Sequence, residues 1–457
     1  MTPLLTVVLL LQGVPASQDT TTGRPCRVAV DSMGHYAEIT NPDGTKTLHG
    51  GGGVFAHCDG TSTKISADSF AHYGALGRLD LIGRVAIRDT GFALDARFAS
   101  YFLRDERLDA HNDVVAVNRR TGSVLRGPNL KYWRAVKGIR DTVEMYATQR
   151  PTVEYRQSPD SQQEPYIIVA DRLRLKGDDR VWAGGKVTID RSDFASRSDS
   201  MMLDQISGFG VLVGKPSVEG KGAAGESGTG YTLVGTRIEL ALAARDIRAI
   251  KALGNGRATG SDWTLTADTI DLHVANRQLQ QTFAWGDSGV ARPYAVSTLY
   301  TTRSDSLAID SPDEVLKESR AFGKAYATAK RDSMTPPTQT DWVSGDTITI
   351  RFVQDQDSVT KRAHSRLHEL VSRGSARALT HHFDKTDTTT AAPSINYSRG
   401  KAITLAMLRD RIDRVLVVGA ADGVHLEPRP PIEADSLKRA RQDTTRVATP
   451  RPRTSAP

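Results

Sequence analysis

Two cysteines, few aromatics and no apolar stretch of membrane-spanning length set the first limits on this 457-residue chain. With hydrophobic residues at 39% and aromatics at 6%, the composition is lean for one large globular core. It suits many short strands joined by turns, and 39 glycines are available to mark those turns. No segment approaches the roughly 20 apolar residues of a bilayer-crossing helix, so the mature protein is expected to be soluble. Few stretches before residue 310 have a helical period, which argues against an α fold. Recognition helices, RNP-type strands and zinc knuckles are also missing, and their absence speaks against nucleic acid as a partner. The net charge of +7 is modest once the Arg- and Pro-rich stretch Lys438–Arg453 is set aside. That stretch belongs to a tail, 429–457, that reads as solvated and disordered. Phosphorylated lipid head groups remain as an anionic partner for a basic surface.

At the N-terminus, Leu4 to Leu11 is apolar except for Thr6, and Val14-Pro15-Ala16 offers small residues at a cleavage point. Residues 1–16 resemble a secretory signal peptide, although no Lys or Arg precedes the apolar run. In an exported chain, Cys26 and Cys58 suggest one disulfide closing a loop of about 30 residues and stabilising it by ~3 kcal/mol. Two buried free thiols are the alternative.

The dominant pattern has period two. Leu79, Leu81, Val85 and Ile87 share one parity, with Gly83 between them and Asp80, Arg84 and Arg88 on the other. In the next segment Phe92, Leu94, Ala96 and Phe98 lie opposite Asp95 and Arg97. Such alternation predicts half-buried strands, each with one wet face. A grammar recurs: Ala-Asp at Ala67-Asp68, Ala170-Asp171 and Ala267-Asp268, then a Gly followed by alternating apolar residues, as in Gly83 to Ile87 and Gly185 to Ile189. Self-similarity of this kind marks a repeat architecture, with the Gly allowing a bulge or bend. Composition predicts three arrays, 27–156, 166–310 and 318–428, with the Gln/Ser/Pro-rich stretch 157–165 between the first two. A long loop is expected over Pro216–Gly230, a helical turn or two over Pro312–Lys330, and a short helix over Arg362–Arg373.

Several constellations imitate catalytic sites. Ala56-His57-Cys58 and Gly286-Asp287-Ser288-Gly289 are similar to the His and Ser segments of trypsin-like proteases. Val290 replaces the Gly expected there, and the serine segment falls in register with the repeat, so the resemblance is rejected. His364 and His368 would share a helix face but lack a third ligand. His381-His382 and Asp178-Asp179 read as loop and turn composition. Gly225–Gly230 lacks the Lys of a phosphate loop. No enzyme activity, metal or cofactor is expected.

The repeat from Ala67-Asp68 through Leu79–Ile87 and Thr121-Gly122-Ser123-Val124-Leu125-Arg126-Gly127 to Leu130 and Tyr132 resembles the OstA-like family of lipopolysaccharide-transport proteins. A second pass runs from Ala170-Asp171 to Val213, a third from Trp263 to Leu307, and degenerate copies reach Pro428. The resemblance implies an antiparallel β-jellyroll or β-taco, open at its ends, whose apolar groove shelters acyl chains in the periplasm or at the outer membrane. It implies lipopolysaccharide or a related glycolipid as cargo, and edge-strand docking to other Lpt-type proteins or to further copies of itself. The chain is longer than single-array members, and it lacks both the outer-membrane barrel of LptD and the membrane helix of LptC. Candidate groove residues are Leu79, Leu81, Val85, Ile87, Leu94, Phe98, Val115, Val117, Val187 and Ile189. The rivals are an exported parallel β-helix acting on polysaccharide and a structural envelope scaffold with a closed core.

Overall fold

A computed structural model describes residues 26–156, 158–221, 230–243, 246–260, 263–286, 291–298, 300–329, 340–356, 363–382, 393–408 and 411–427. The signal-like segment 1–16 and the tail 429–457 lie outside them. The described residues are nearly all strand; the helices among them are two single 3-10 turns, Gly74–Leu76 and Pro312–Glu314. Each register between described strands is antiparallel. The parallel β-helix is thereby excluded for these residues, because its coils pair parallel neighbours. Sequence neighbours pair with one another: Lys64–Tyr73, Arg78–Arg88, Phe92–Phe102, Arg107–Asn118 and Val124–Trp133 form a meander with short turns.

The chain divides into two compact units, Met1–Pro293 with Ala308–Val315, and Tyr294–Leu307 with Leu316–Pro457. In the first, alternate strands are interrupted by two consecutive residues in the left-handed region. These pairs are Gly52-Gly53, Gly83-Arg84, Asn112-Asp113, Gln149-Arg150, Gly185-Lys186, Gly214-Lys215 and Gly254-Asn255. Each pair opposes a single residue on the flanking strand, such as Asp68, Arg97 or Asp199, so the register shifts at the same level from strand to strand. Stacked bulges bend every strand along one line. The sheet therefore folds over on itself into two facing arms. On a straight strand Leu79 and Ile87 would stand about 26 Å apart; here both line one cavity. Across the fold, the rings of Phe92 and Tyr132 stack with centroids 4.2 Å apart.

The second unit repeats the device at Gly323-Lys324, Gly374-Ser375 and Gly419-Ala420, opposite Asp305, Asp346 and Lys401. There the ring of Tyr300 reaches within 6.0 Å of that of Phe352. Ile348, Ile350, Ala376, Ala378 and Ile403 form its buried interior.

Four local expectations are corrected. Of the expected helix Arg362–Arg373, the described residues 363–373 contribute to the strand Ala363–His382. After the single turn Pro312–Glu314, the strand Glu318–Ala329 takes over, because Ser319 and Ala321, then Ala325 and Ala327, alternate inward. Within Pro216–Gly230 the segment Ser217–Gly220 is a strand paired with Tyr231–Val234. The stretch 157–165 joins Thr152–Tyr155 to Tyr166–Val169, which pair with each other, so the sheet continues where composition suggested a boundary. A polar, Pro-containing hairpin loop has the same composition as a linker. Cys26 and Cys58 form the disulfide.

Candidate functional site

The interior between the arms of the first unit gathers most of the expected groove residues. Leu79 and Leu81 enter from one side of the bend, and Val85, Ile87 and Leu94 from the other; all are buried. Val187 and Ile189, on the strand Arg180–Arg191, occupy the same position one repeat later and are also buried.

Phe98, Val115 and Val117 do not belong to this set. All three are only half-buried and lie on the outer face, where the ring of Phe98 sits 6.2 Å from that of His111. Along Phe92–Phe102 the inner face carries Phe92, Leu94 and Ala96, then Ala99 and Tyr101, with Ala93 and Ser100 also buried. The parity changes at Arg97, where the strand bends opposite Asn112-Asp113. Along Arg107–Asn118 the buried residues are Leu108, Ala110, Val114 and Ala116. Choosing Val115 and Val117 placed that strand's face on the wrong side. The sequence carried a usable signal, since counting parity from Leu108 across the left-handed pair selects Val114 and Ala116.

A cavity of about 40 Å³ remains between the arms, lined by Ile65, Leu79, Leu81, Ile87, Phe92, Leu108 and Tyr132, with the disulfide and Arg134 also at its wall. Burial pushes the Tyr132 hydroxyl well above its ordinary pKa, against the opposing pull of the nearby Arg134 charge. Tyr101 is likewise raised by burial, and further by its hydrogen bond to Glu106. Both phenols stay neutral at physiological pH and add no charge to the interior. Glu106 is buried and accepts from the Tyr101 hydroxyl, from the Cys26 N–H at 3.0 Å and from Arg134 at 3.4 Å. The segment at Cys26 therefore crosses from one arm, through its bond to Cys58, to the other, through Glu106.

Further along the rim opposite the bends, Arg120 pairs at 2.6 Å with Asp178, which also accepts from Asn118. On the turn between Arg78–Arg88 and Phe92–Phe102, burial works to raise the Asp89 carboxyl. Hydrogen bonds from Ser62, the Thr90 N–H and Thr63, with the charge of Arg134, outweigh it and hold the group below the usual carboxylate range. The rim is thus joined by polar contacts, and the interior is filled by apolar ones.

The described members of the catalytic look-alikes can be placed. His57 is half-buried with Nδ1 2.7 Å from Asp31 and Nε2 3.2 Å from Asp59; Asp287 and Ser288 lie outside the described residues. His364 and His368 sit four apart on a strand, about 13 Å of extended chain, instead of one helical turn. His381 is buried, and both its N–H and Nδ1 contact Asp341 at 2.8 Å. Residues 225–229 of the Gly-rich segment lie outside the described residues. Among the described residues no cluster of three or more His, Cys, Asp or Glu is placed to hold a metal. Nor is any helix there long and apolar enough to cross a membrane.

At the far end of the second unit, Arg411–Val418 and Asp422–Leu426 pair only with Ser394–Leu408 among the described strands. Their apolar side chains are uncovered, with Leu416 54% and Val424 53% exposed. No protein-family model matches the chain, and no curated protein was found to resemble it.

Proposed function

We propose that this chain is a non-enzymatic carrier that takes the acyl chains of lipopolysaccharide or a related glycolipid between its folded arms. It delivers its cargo across the periplasm toward the outer membrane. The observation that carries the reading is the convergence of Leu79, Leu81, Ile87 and Tyr132 from both arms onto one mainly apolar space, with Arg134, paired to the buried Glu106, also in its lining. The folded antiparallel sheet is then the β-taco of OstA-like proteins. At ~0.8 kcal/mol per buried methylene, a 12-carbon chain offers about 9 kcal/mol of gross transfer energy, enough to offset re-exposure of a few core side chains. The 40 Å³ cavity is far smaller than the ~300 Å³ of a small-molecule pocket, so loading requires the arms to part. The uncovered edge strands at Arg411–Val418 and Asp422–Leu426 suit β-augmentation by a further Lpt-type protein or a second copy.

A closed structural scaffold is the second reading, favoured by how completely the interior is filled. Titration of detergent-free protein with a dansyl-labelled fatty acid, followed by competition with lipopolysaccharide, separates the two. Saturable, displaceable fluorescence is expected for the carrier. Linear, non-displaceable signal would leave the scaffold.

A further inference from the structure

We propose that Arg191, Asp193, Asp246, Tyr166 and Arg277 form a clasp that holds the two arms of the first unit shut, and that its release is the lateral entrance for an acyl chain. The proposal rests on the glycolipid reading above. Arg191 ends the strand Arg180–Arg191 beyond the bend at Gly185-Lys186, and Asp193 follows in its turn. Tyr166 begins the neighbouring strand, with Ile167 paired to Asp190. These three belong to one arm. Asp246 begins the strand Asp246–Thr259 ahead of the bend at Gly254-Asn255, and Arg277 lies in the turn after Trp263–Ala275. These two belong to the other.

Arg191 is the centre. Its guanidinium, with only 4% of the side chain exposed, binds Asp193 through two nitrogens, at 2.5 and 2.8 Å. From the other arm Asp246 approaches it at 3.4 Å and also accepts from the Tyr166 hydroxyl at 3.0 Å. The Tyr166 ring covers the guanidinium at 4.1 Å, and Arg277 reaches back to Asp193 at 4.0 Å. Burial works to lower the Arg191 pKa, but the Asp193 hydrogen bonds and the neighbouring negative groups raise it overall, so the clasp is charged when closed. Directly beneath lies a cavity of about 20 Å³ that reaches Ile247, Ile250 and Val274 of the opposite arm.

A buried ion cluster is a poor way to gain stability, because well-packed apolar groups of the same volume do as well or better. It is a good way to build a seam that opens. When the arms separate, each charge regains its hydration, whereas an apolar seam would lose burial with nothing in return. Polar groups at the rim and apolar groups below thus let the edge release while the bend line stays intact.

The test compares Asp246→Ala with the native full-length chain by amide hydrogen exchange and by stopped-flow uptake of a dansyl-labelled fatty acid. Exchange across Tyr166–Val169 and uptake should both quicken about tenfold, with strand content by circular dichroism retained. Asp246→Glu should stay near native. Should Asp246→Ala fail to fold, Asp246→Asn, which removes the charge and keeps a hydrogen-bond acceptor, is expected to move both readouts in the same direction. Unchanged exchange beside intact fatty-acid binding would overturn the clasp and leave the carrier standing. Faster exchange without uptake by either protein would overturn the entrance and the carrier together.

Discussion

At Gly83 the backbone takes φ +72° and at Arg84 φ +42°, and a side chain at Gly83 would have nowhere to go: its Cβ would fall 2.4 Å from an oxygen of Asp68. The same clash, 2.4 Å from Asp171, occurs at Gly185. In each bend the carboxylate of the facing strand occupies the space that the glycine leaves open. Gly177 tests the two contributions separately, since it also has positive φ (60°) but faces open space. Gly185→Ala should lower unfolding free energy by about 2–3 kcal/mol and Gly177→Ala by about 1, read from denaturant midpoints at constant slope. Equal losses would mean that the facing Asp does not matter. Asp89 makes a prediction about acid. Its carboxyl is held below its unfolded pKa, so the unfolded chain binds the extra proton and the stabilisation is present above about pH 4. It is lost as pH falls through the lower, folded value. Native stability should therefore fall more steeply from pH 5 to 3 than that of Asp89→Asn.

The strands are where the sequence is most and least legible. Period-two alternation locates Arg78–Arg88 and Arg180–Arg191 and puts Leu79, Leu81, Val85, Ile87, Val187 and Ile189 on the buried face. The recurring Ala-Asp and Gly turn out to be two sides of one feature, because Asp68 and Asp171 stand across the bend from Gly83 and Gly185. What alternation alone does not convey is how the phase resumes beyond a bend. In Phe92–Phe102 no glycine announces it, and the inner face passes from Ala96 to Ala99, leaving Phe98 outside. The strand Ala363–His382 was hidden for another reason: its apolar positions Leu367, Leu370 and Val371 mimic helical spacing until the bend at Gly374-Ser375 is taken into account. Substitution can verify the corrected face. Val114→Ala should cost about 2 kcal/mol and Val115→Ala less than about 1 in thermal or denaturant unfolding, because only the former leaves a hole in the interior. The reverse order would restore Val115 to the groove.

At the scale of the molecule, each of the two units is an antiparallel sheet bent by repeated left-handed pairs, and in the first unit the two arms face each other across an apolar space. The polar rim of the first unit suits opening sideways, and the uncovered edge strands of the second suit extension by strand pairing. Clasp and edges matter only if the interior admits a guest. Photo-crosslinking in living cells addresses that directly, with a photoreactive residue placed at Ile87 or Val187 inside the fold and at Val115 outside it. Glycolipid adducts are expected from Ile87 and Val187 and not from Val115. Adducts from none of the three, or from Val115 as readily as from the inner positions, would contradict the account.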